Sequence, residues 1–171
     1  MPKMKAPLYV QTIDSPIGPI RLGTHSGGLA RVLFAAQENE VLPEEANPCD
    51  AARAHMDKAV MALNEYFAGG RKTFDDITLA PEGTDFQLSV WTALTKLAYG
   101  ETCAYRDIAI EIGNPKAVRA VGLANGQNPI PVIVPCHRVI GANGKLTGFG
   151  GGLPAKQWLL AHEGAIDAPL I

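Results

Sequence analysis

The sequence predicts an α/β chain in two parts: a small N-terminal α/β domain over residues 1–83 and a mainly helical C-terminal domain over residues 84–171. Three observations predict it. Short β-prone runs separated by turn signals crowd the start of the chain, and one long helical repeat follows them. Past Pro81-Glu82-Gly83 the pattern changes to short helices broken by glycine. With 171 residues, 47% of them hydrophobic and only 19% charged, the chain can build a core and does not read as disordered.

Taken in order, residues 8–13, 17–22 and 29–34 are the β-prone runs, parted by Asp14-Ser15-Pro16 and Ser26-Gly27-Gly28. Residues 51–67 set Met56, Val60, Leu63 and Phe67 at helical spacing, stopped by Gly69-Gly70. Thr84-Asp85-Phe86-Gln87 is a capping box in which Thr84 and Gln87 satisfy each other's first-turn amides. Phe86, Val90, Leu94 and Leu97 then make one apolar face of a helix ending at Gly100. Residues 105–112 read as a short helix with Ile108, Ala109 and Ile112 inward. Gly113 breaks it, and Asn114-Pro115 restarts a helix, with Asn114 as N-cap and Pro115 at the first position.

Helix, glycine turn, helix is a helix-turn-helix pattern, although many helical proteins contain such a corner. The second helix is unusual for a base reader. Ala117, Ala120, Gly122 and Ala124 are small, and Arg119 is the one long polar side chain of its interior. A small face permits the close backbone approach that a minor groove about 6 Å wide demands. Arg119 then suits insertion into a base stack better than sequence readout.

Charge is distributed unevenly. Net charge is −2, yet residues 1–83 carry 8 basic and 11 acidic side chains and residues 84–171 carry 7 and 6. No Asp or Glu occurs from 112 to 162, while Lys116, Arg119, Arg138, Lys145 and Lys156 do. Such a stretch suits a transient polyanion partner; a solvated face with a chance run of cations is the plainer reading. No run nears the ~20 apolar residues of a membrane span. Met1-Pro2-Lys3-Met4-Lys5-Ala6-Pro7 does not lead into an apolar signal core, so a cytoplasmic protein with free thiols is expected. His25, Cys49 and His55 lack the close paired spacing of metal ligands, and neither metal nor cofactor is expected.

Of the three cysteines, Cys136 stands out. In Pro135-Cys136-His137-Arg138-Val139 it has an imidazole next to it, a guanidinium two residues away and no acid nearby, conditions that lower a thiol's pKa. Adjacency in sequence does not by itself bring His137 to the sulfur. A buried inert cysteine at a strand end is the other reading of the pair.

This segment resembles the active-site signature of the O6-alkylguanine-DNA alkyltransferases, also called methylated-DNA–protein-cysteine methyltransferases. The resemblance extends over Gly83-Thr84-Asp85-Phe86-Gln87, Tyr99-Gly100-Glu101-Thr102 and the run from Gly113-Asn114-Pro115-Lys116 to Val121. It continues through Asn128-Pro129, Gly151-Gly152-Leu153 and Trp158-Leu159-Leu160-Ala161-His162-Glu163-Gly164. It implies a ribonuclease-H-like N-terminal domain and a winged helix-turn-helix C-terminal domain. It also implies suicidal repair: O6-alkylguanine, and O4-alkylthymine too, is flipped from duplex DNA and the alkyl group moves irreversibly to the protein.

By resemblance, Cys136 is the acceptor, His137 a general base acting through a water, Glu163 the group that orients His137, and Asn128 the residue holding the turn. Tyr105 crowds the target phosphate and donates to the guanine, and Arg119 fills the space left by the flipped base. Val139, Phe149 and Gly150 line the guanine pocket. Ala98, Phe149 and Gly150 depart from residues frequent in the family. The partner implied is double-stranded DNA carrying O6-alkylguanine, met by a monomer with no membrane contact. The rival class is a non-catalytic damage sensor or DNA-binding regulator, against which the cysteine at the acceptor position argues.

Overall fold

The computed structural model describes residues 6–167; Met1 to Lys5, read above against an export signal, lie outside them. Two compact units divide the chain, residues 1–82 and 83–171. In the first, β1 (Tyr9–Ile13), β2 (Ile20–His25) and β3 (Gly28–Leu33) form an antiparallel sheet in that order. The helix α1 (Asp50–Phe67) packs on β2 and β3. Its Met56, Ala59, Leu63 and Tyr66, like Leu22, Leu29 and Val32 of the strands, are closed to water in the core. Thr24 Oγ1 donates to Ala52 O at 2.7 Å, a buried bond that fixes α1 on the sheet.

The second strand starts later than the sequence suggests. Gly18, at φ +96°, donates its N–H to Ser15 O at 3.1 Å, and the Ser15 hydroxyl donates to Gly18 O at 2.5 Å. That turn takes up Ile17 and leaves Ile20 to open β2, paired with Ile13.

The second unit holds α2 (Asp85–Leu94), β4 (Cys103–Ala104), α3 (Tyr105–Glu111), α4 (Val118–Gly126), β5 (Val139–Ile140) and α5 (Leu153–His162). The capping box at Thr84 and Gln87 forms as expected, at 3.1 and 2.9 Å. Two other expectations fail for physical reasons. The α2 face toward the core is Gln87, Val90, Trp91 and Leu94, because Trp91 Nε1 donates to Ala124 O of α4 at 2.8 Å. The helix closes at Leu94 through shorter-span bonds, Lys96 N to Ala93 O and Leu97 N to Leu94 O, instead of running to Gly100.

Asn114 does not cap α4. Its N–H donates to Ala109 O at 2.9 Å while Gly113, at φ +76°, donates to Ile110 O at 3.0 Å. Together these bonds form a Schellman closure of α3. Residues 114–117 then make a turn, Ala117 N to Asn114 O at 3.0 Å, and α4 begins at Val118. The helix-turn-helix stands, with α3 and α4 packed together and α2 behind α4. β4 and β5 pair in parallel, Cys103 opposite Val139, and join the start of α3 to the chain just past Cys136.

Candidate active site

Residues 128–139 are all buried, an uninterrupted stretch between α4 and β5. Asn128 shapes it from both ends. Its Oδ1 accepts from Ile130 N at 3.0 Å and its Nδ2 donates to Val134 O at 2.8 Å, while Val134 N closes on Ile130 O at 2.9 Å. Inside this loop Val132 sits at φ +73°, a left-handed backbone that costs a β-branched residue about 1–3 kcal/mol. The bonds of Asn128 hold that strain in place, three residues before Pro135.

Cys136 opens a 3-10 turn, Cys136–Arg138, that runs directly into β5. Its N–H donates to Val134 O at 2.8 Å, and Asn125 Nδ2 of α4 donates to its carbonyl at 3.4 Å. The thiol is not the low-pKa nucleophile that its neighbours in sequence suggest. Burial pushes it up to about 11, against the smaller favourable pull of the Asn128 amide and the Lys156 charge. The neighbouring cation, Arg138, points elsewhere.

Arg138 is buried and turned to Glu163, the C-cap of α5. Nε donates to Oε1 at 2.8 Å, Nη2 to Oε2 at 3.0 Å and Nη1 to Leu97 O at 2.7 Å. His137 Nε2 meets the same Oε2 at 2.8 Å, and both side chains of that pair are wholly buried. Burial holds the imidazole below its ordinary pKa, and the Glu163 carboxylate pulls it only part of the way back. A neutral ring donating from Nε2 leaves Nδ1 as an acceptor. Nδ1 is buried without a hydrogen-bond partner. A buried, high-pKa thiol next in the chain to a neutral imidazole that a carboxylate orients suits loss of the proton only as the sulfur reacts.

The bonds therefore join His137, Glu163 and the unforeseen Arg138, with Asn128 holding the loop that leads to the thiol. Val139 is wholly buried, its carbonyl accepting from Lys156 Nζ at 2.7 Å. Lys156, counted above with the surface cations, is likewise buried and also donates to Thr147 O at 3.0 Å. With Arg138 turned inward too, the exposed cations of this unit include Lys116, Arg119, Arg106 and Lys145. Tyr105 opens α3 and its hydroxyl bonds to Thr147 Oγ1 at 2.5 Å. A Cβ on Gly122 would lie 3.8 Å from its ring, which puts Tyr105 beside the small face of α4. Arg119, three residues before Gly122 and exposed, stands on that same side. Phe149, half-buried, and Gly150, exposed, lie in the loop before α5.

Sequence reasoning missed Arg138, Lys156 and Asn125 as internal parts of the site. A signal for the first was present: with no acid from 112 to 162, Glu163 is the first carboxylate after the cysteine.

The chain is thus a two-unit protein in which a buried cysteine, followed by a histidine bonded to a buried carboxylate, lies next to a helix-turn-helix. The family profile "6-O-methylguanine DNA methyltransferase, DNA binding domain" matches residues 85–165, and "6-O-methylguanine DNA methyltransferase, ribonuclease-like domain" matches residues 8–81. The chain belongs to the 6-O-methylguanine DNA methyltransferase family. It is 51% identical to the methylated-DNA–protein-cysteine methyltransferase of Methanosarcina acetivorans, over 92% of this chain and 99% of that one. The crystal structure of Mycobacterium tuberculosis OGT in complex with DNA superposes with a TM-score of 0.81 at 51% identity, covering 91% of this chain and 92% of that one. An O6-methylguanine DNA methyltransferase from Methanococcus jannaschii is similar at 27% identity and TM-score 0.59, covering 98% and 96%.

The burial pattern has a direct chemical consequence. Cys49 is exposed, Cys103 half-buried and Cys136 buried, and burial pushes both of the latter thiols up to about 11. An aromatic disulfide reagent at neutral pH is expected to react quickly with Cys49 alone, and Cys49→Ser should remove the fast phase. A fast phase that maps to Cys136 by peptide mass would contradict the buried, protonated thiol.

Proposed function

We propose that this protein repairs O6-alkylguanine, and O4-alkylthymine, in double-stranded DNA by moving the alkyl group irreversibly onto Cys136. The observation that carries the reading is the buried chain of bonds behind that cysteine, His137 Nε2 to Glu163 with Nδ1 left free. On this reading residues 84–171 bind DNA and transfer the group, and residues 1–83 are a structural domain. The protein acts in the cytoplasm as a monomer, and the chemistry asks for no cofactor.

The exposed, small-faced α4 enters the minor groove. Arg119 takes the place of the extruded base and so offsets the few kcal/mol that unstacking costs. Val139, Phe149 and Gly150 enclose the flipped guanine. The thiol proton leaves toward His137 Nδ1 through a water, and the imidazolium so formed is stabilised by Glu163. The sulfur attacks the alkyl carbon, the S–C bond forms and the C–O6 bond breaks. The electron pair stays on the guanine, which takes a proton in balance, with the Tyr105 hydroxyl donating to it. The thioether product is a poor leaving group, so one protein performs one transfer.

Two outcomes are expected. Incubation with O6-methylguanine duplex should add one methylene, about 14 Da, to the Cys136 peptide of wild type and nothing to Cys136→Ser, with both still binding the duplex. Tight binding with unchanged wild-type mass would identify a sensor and sink the reading. Arg119→Ala should slow repair of duplex DNA about a hundredfold, near 2.7 kcal/mol, and leave reaction with free O6-alkylguanine base almost unaffected. Equal slowing on both substrates would place Arg119 in the pocket or the fold.

A further inference from the structure

We infer that Arg138 is a positioning residue for the transfer: its guanidinium grips both oxygens of Glu163, keeps that carboxylate ionised and aimed at His137, and leaves the imidazole neutral with a free Nδ1. The inference rests on the functional reading above and deepens it.

The Glu163 side chain is wholly buried, so its charge needs a permanent partner. Arginine cannot lose its proton, and Arg138 supplies two bonds in the forked geometry that suits a carboxylate. Its remaining nitrogen is held by Leu97 O at 2.7 Å, so the fork cannot swing away. The Arg138–Glu163 pair is then neutral. A proton resting on His137 would leave a net positive charge in a buried cluster that also holds Lys156.

The charged groups acting on the imidazole are Glu163 at the C-terminus of α5, Lys156 from α5, and Arg138 from the turn that carries the ring itself. Glu163 favours the imidazolium; burial, Arg138 and Lys156 oppose it. Without Arg138, Glu163 becomes an uncompensated buried anion beside a titratable ring. The ring takes the proton, and the base is lost before the reaction starts. An arginine that merely staples Leu97 to α5 would act differently, lowering stability and slowing transfer equally at every pH.

The test uses full-length protein and two readouts. One is the protonation and tautomer of His137, followed by imidazole NMR against pH; the other is single-turnover methyl uptake from O6-methylguanine duplex. In wild type the ring should be neutral at pH 7 with its proton on Nε2. Arg138→Met and Arg138→Gln should raise the pH at which His137 titrates by about one unit or more. Their transfer should be down roughly tenfold further at neutral pH than in alkali, where most of it returns. Arg138→Lys should restore the wild-type titration while remaining slower, because it keeps the charge and loses the fork. In a Glu163→Gln background, Arg138→Met should not raise the titration further.

An unmoved titration in folded Arg138→Met and Arg138→Gln would overturn the inference. If neither variant folds, wild type decides, and a His137 already charged at pH 7 would overturn it alone. A wild type that takes up no methyl group would overturn the functional reading instead, leaving the titration as the judge of Arg138.

Discussion

A carboxylate with no access to water organises the second unit. Glu163 lies at the C-terminal end of α5, where the helix dipole disfavours negative charge, and its side chain is wholly buried. Such a group survives only with hydrogen bonds and a counter-ion. Arg138 supplies the counter-ion, His137 a further bond, and Gly100 N a long one at 3.5 Å. These partners come from two separate parts of the chain, neither of them α5. Satisfying one charge therefore brings together the loop after α2, the turn bearing Cys136 and the last helix. Tyr99 adds to the closure, its hydroxyl donating to His162 O at 3.3 Å and its ring lying 5.8 Å from the Arg138 guanidinium.

The chemistry follows from that arrangement. Because Arg138 is committed to Glu163, its charge is not available to ionise the thiol, and burial leaves Cys136 protonated. A resting thiol suits a protein that can react only once, since side reactions would waste the whole molecule. On the proposed mechanism, activation is deferred until a substrate carbon is in place and His137 can accept the proton. The strained Val132 and the two bonds of Asn128 serve the same end by fixing the backbone that presents the sulfur.

Much of this was legible in the sequence. The three strands, α1 and the start of α2 were marked by turn residues and by a capping box whose partners are three residues apart, so local chemistry decided that they form, though not where β2 begins or α2 ends. That His137 meets Glu163 was legible because their motifs resemble a known family. The start of α4 was not, since Asn114 can cap the next helix or close the previous one, and only the packing of α3 chooses. The parallel pair β4–β5 is two residues long on each side and leaves no periodic trace. Arg138 and Lys156 were read as surface cations because long charged side chains usually are. Only a buried carbonyl or carboxylate across the fold overrides that default.

On the proposed mechanism a protonated, buried thiol is activated by a neutral histidine and not by prior ionisation. The single-turnover rate of wild-type methyl uptake from duplex DNA, measured from about pH 5 to pH 10, tests it most directly. The rate should fall in acid as His137 takes a proton, below its ordinary pKa of about 6.5, and hold a plateau through neutral and mildly alkaline pH. A rate that climbs about tenfold with each pH unit through that alkaline range would track the thiolate of a thiol near 11 and contradict it.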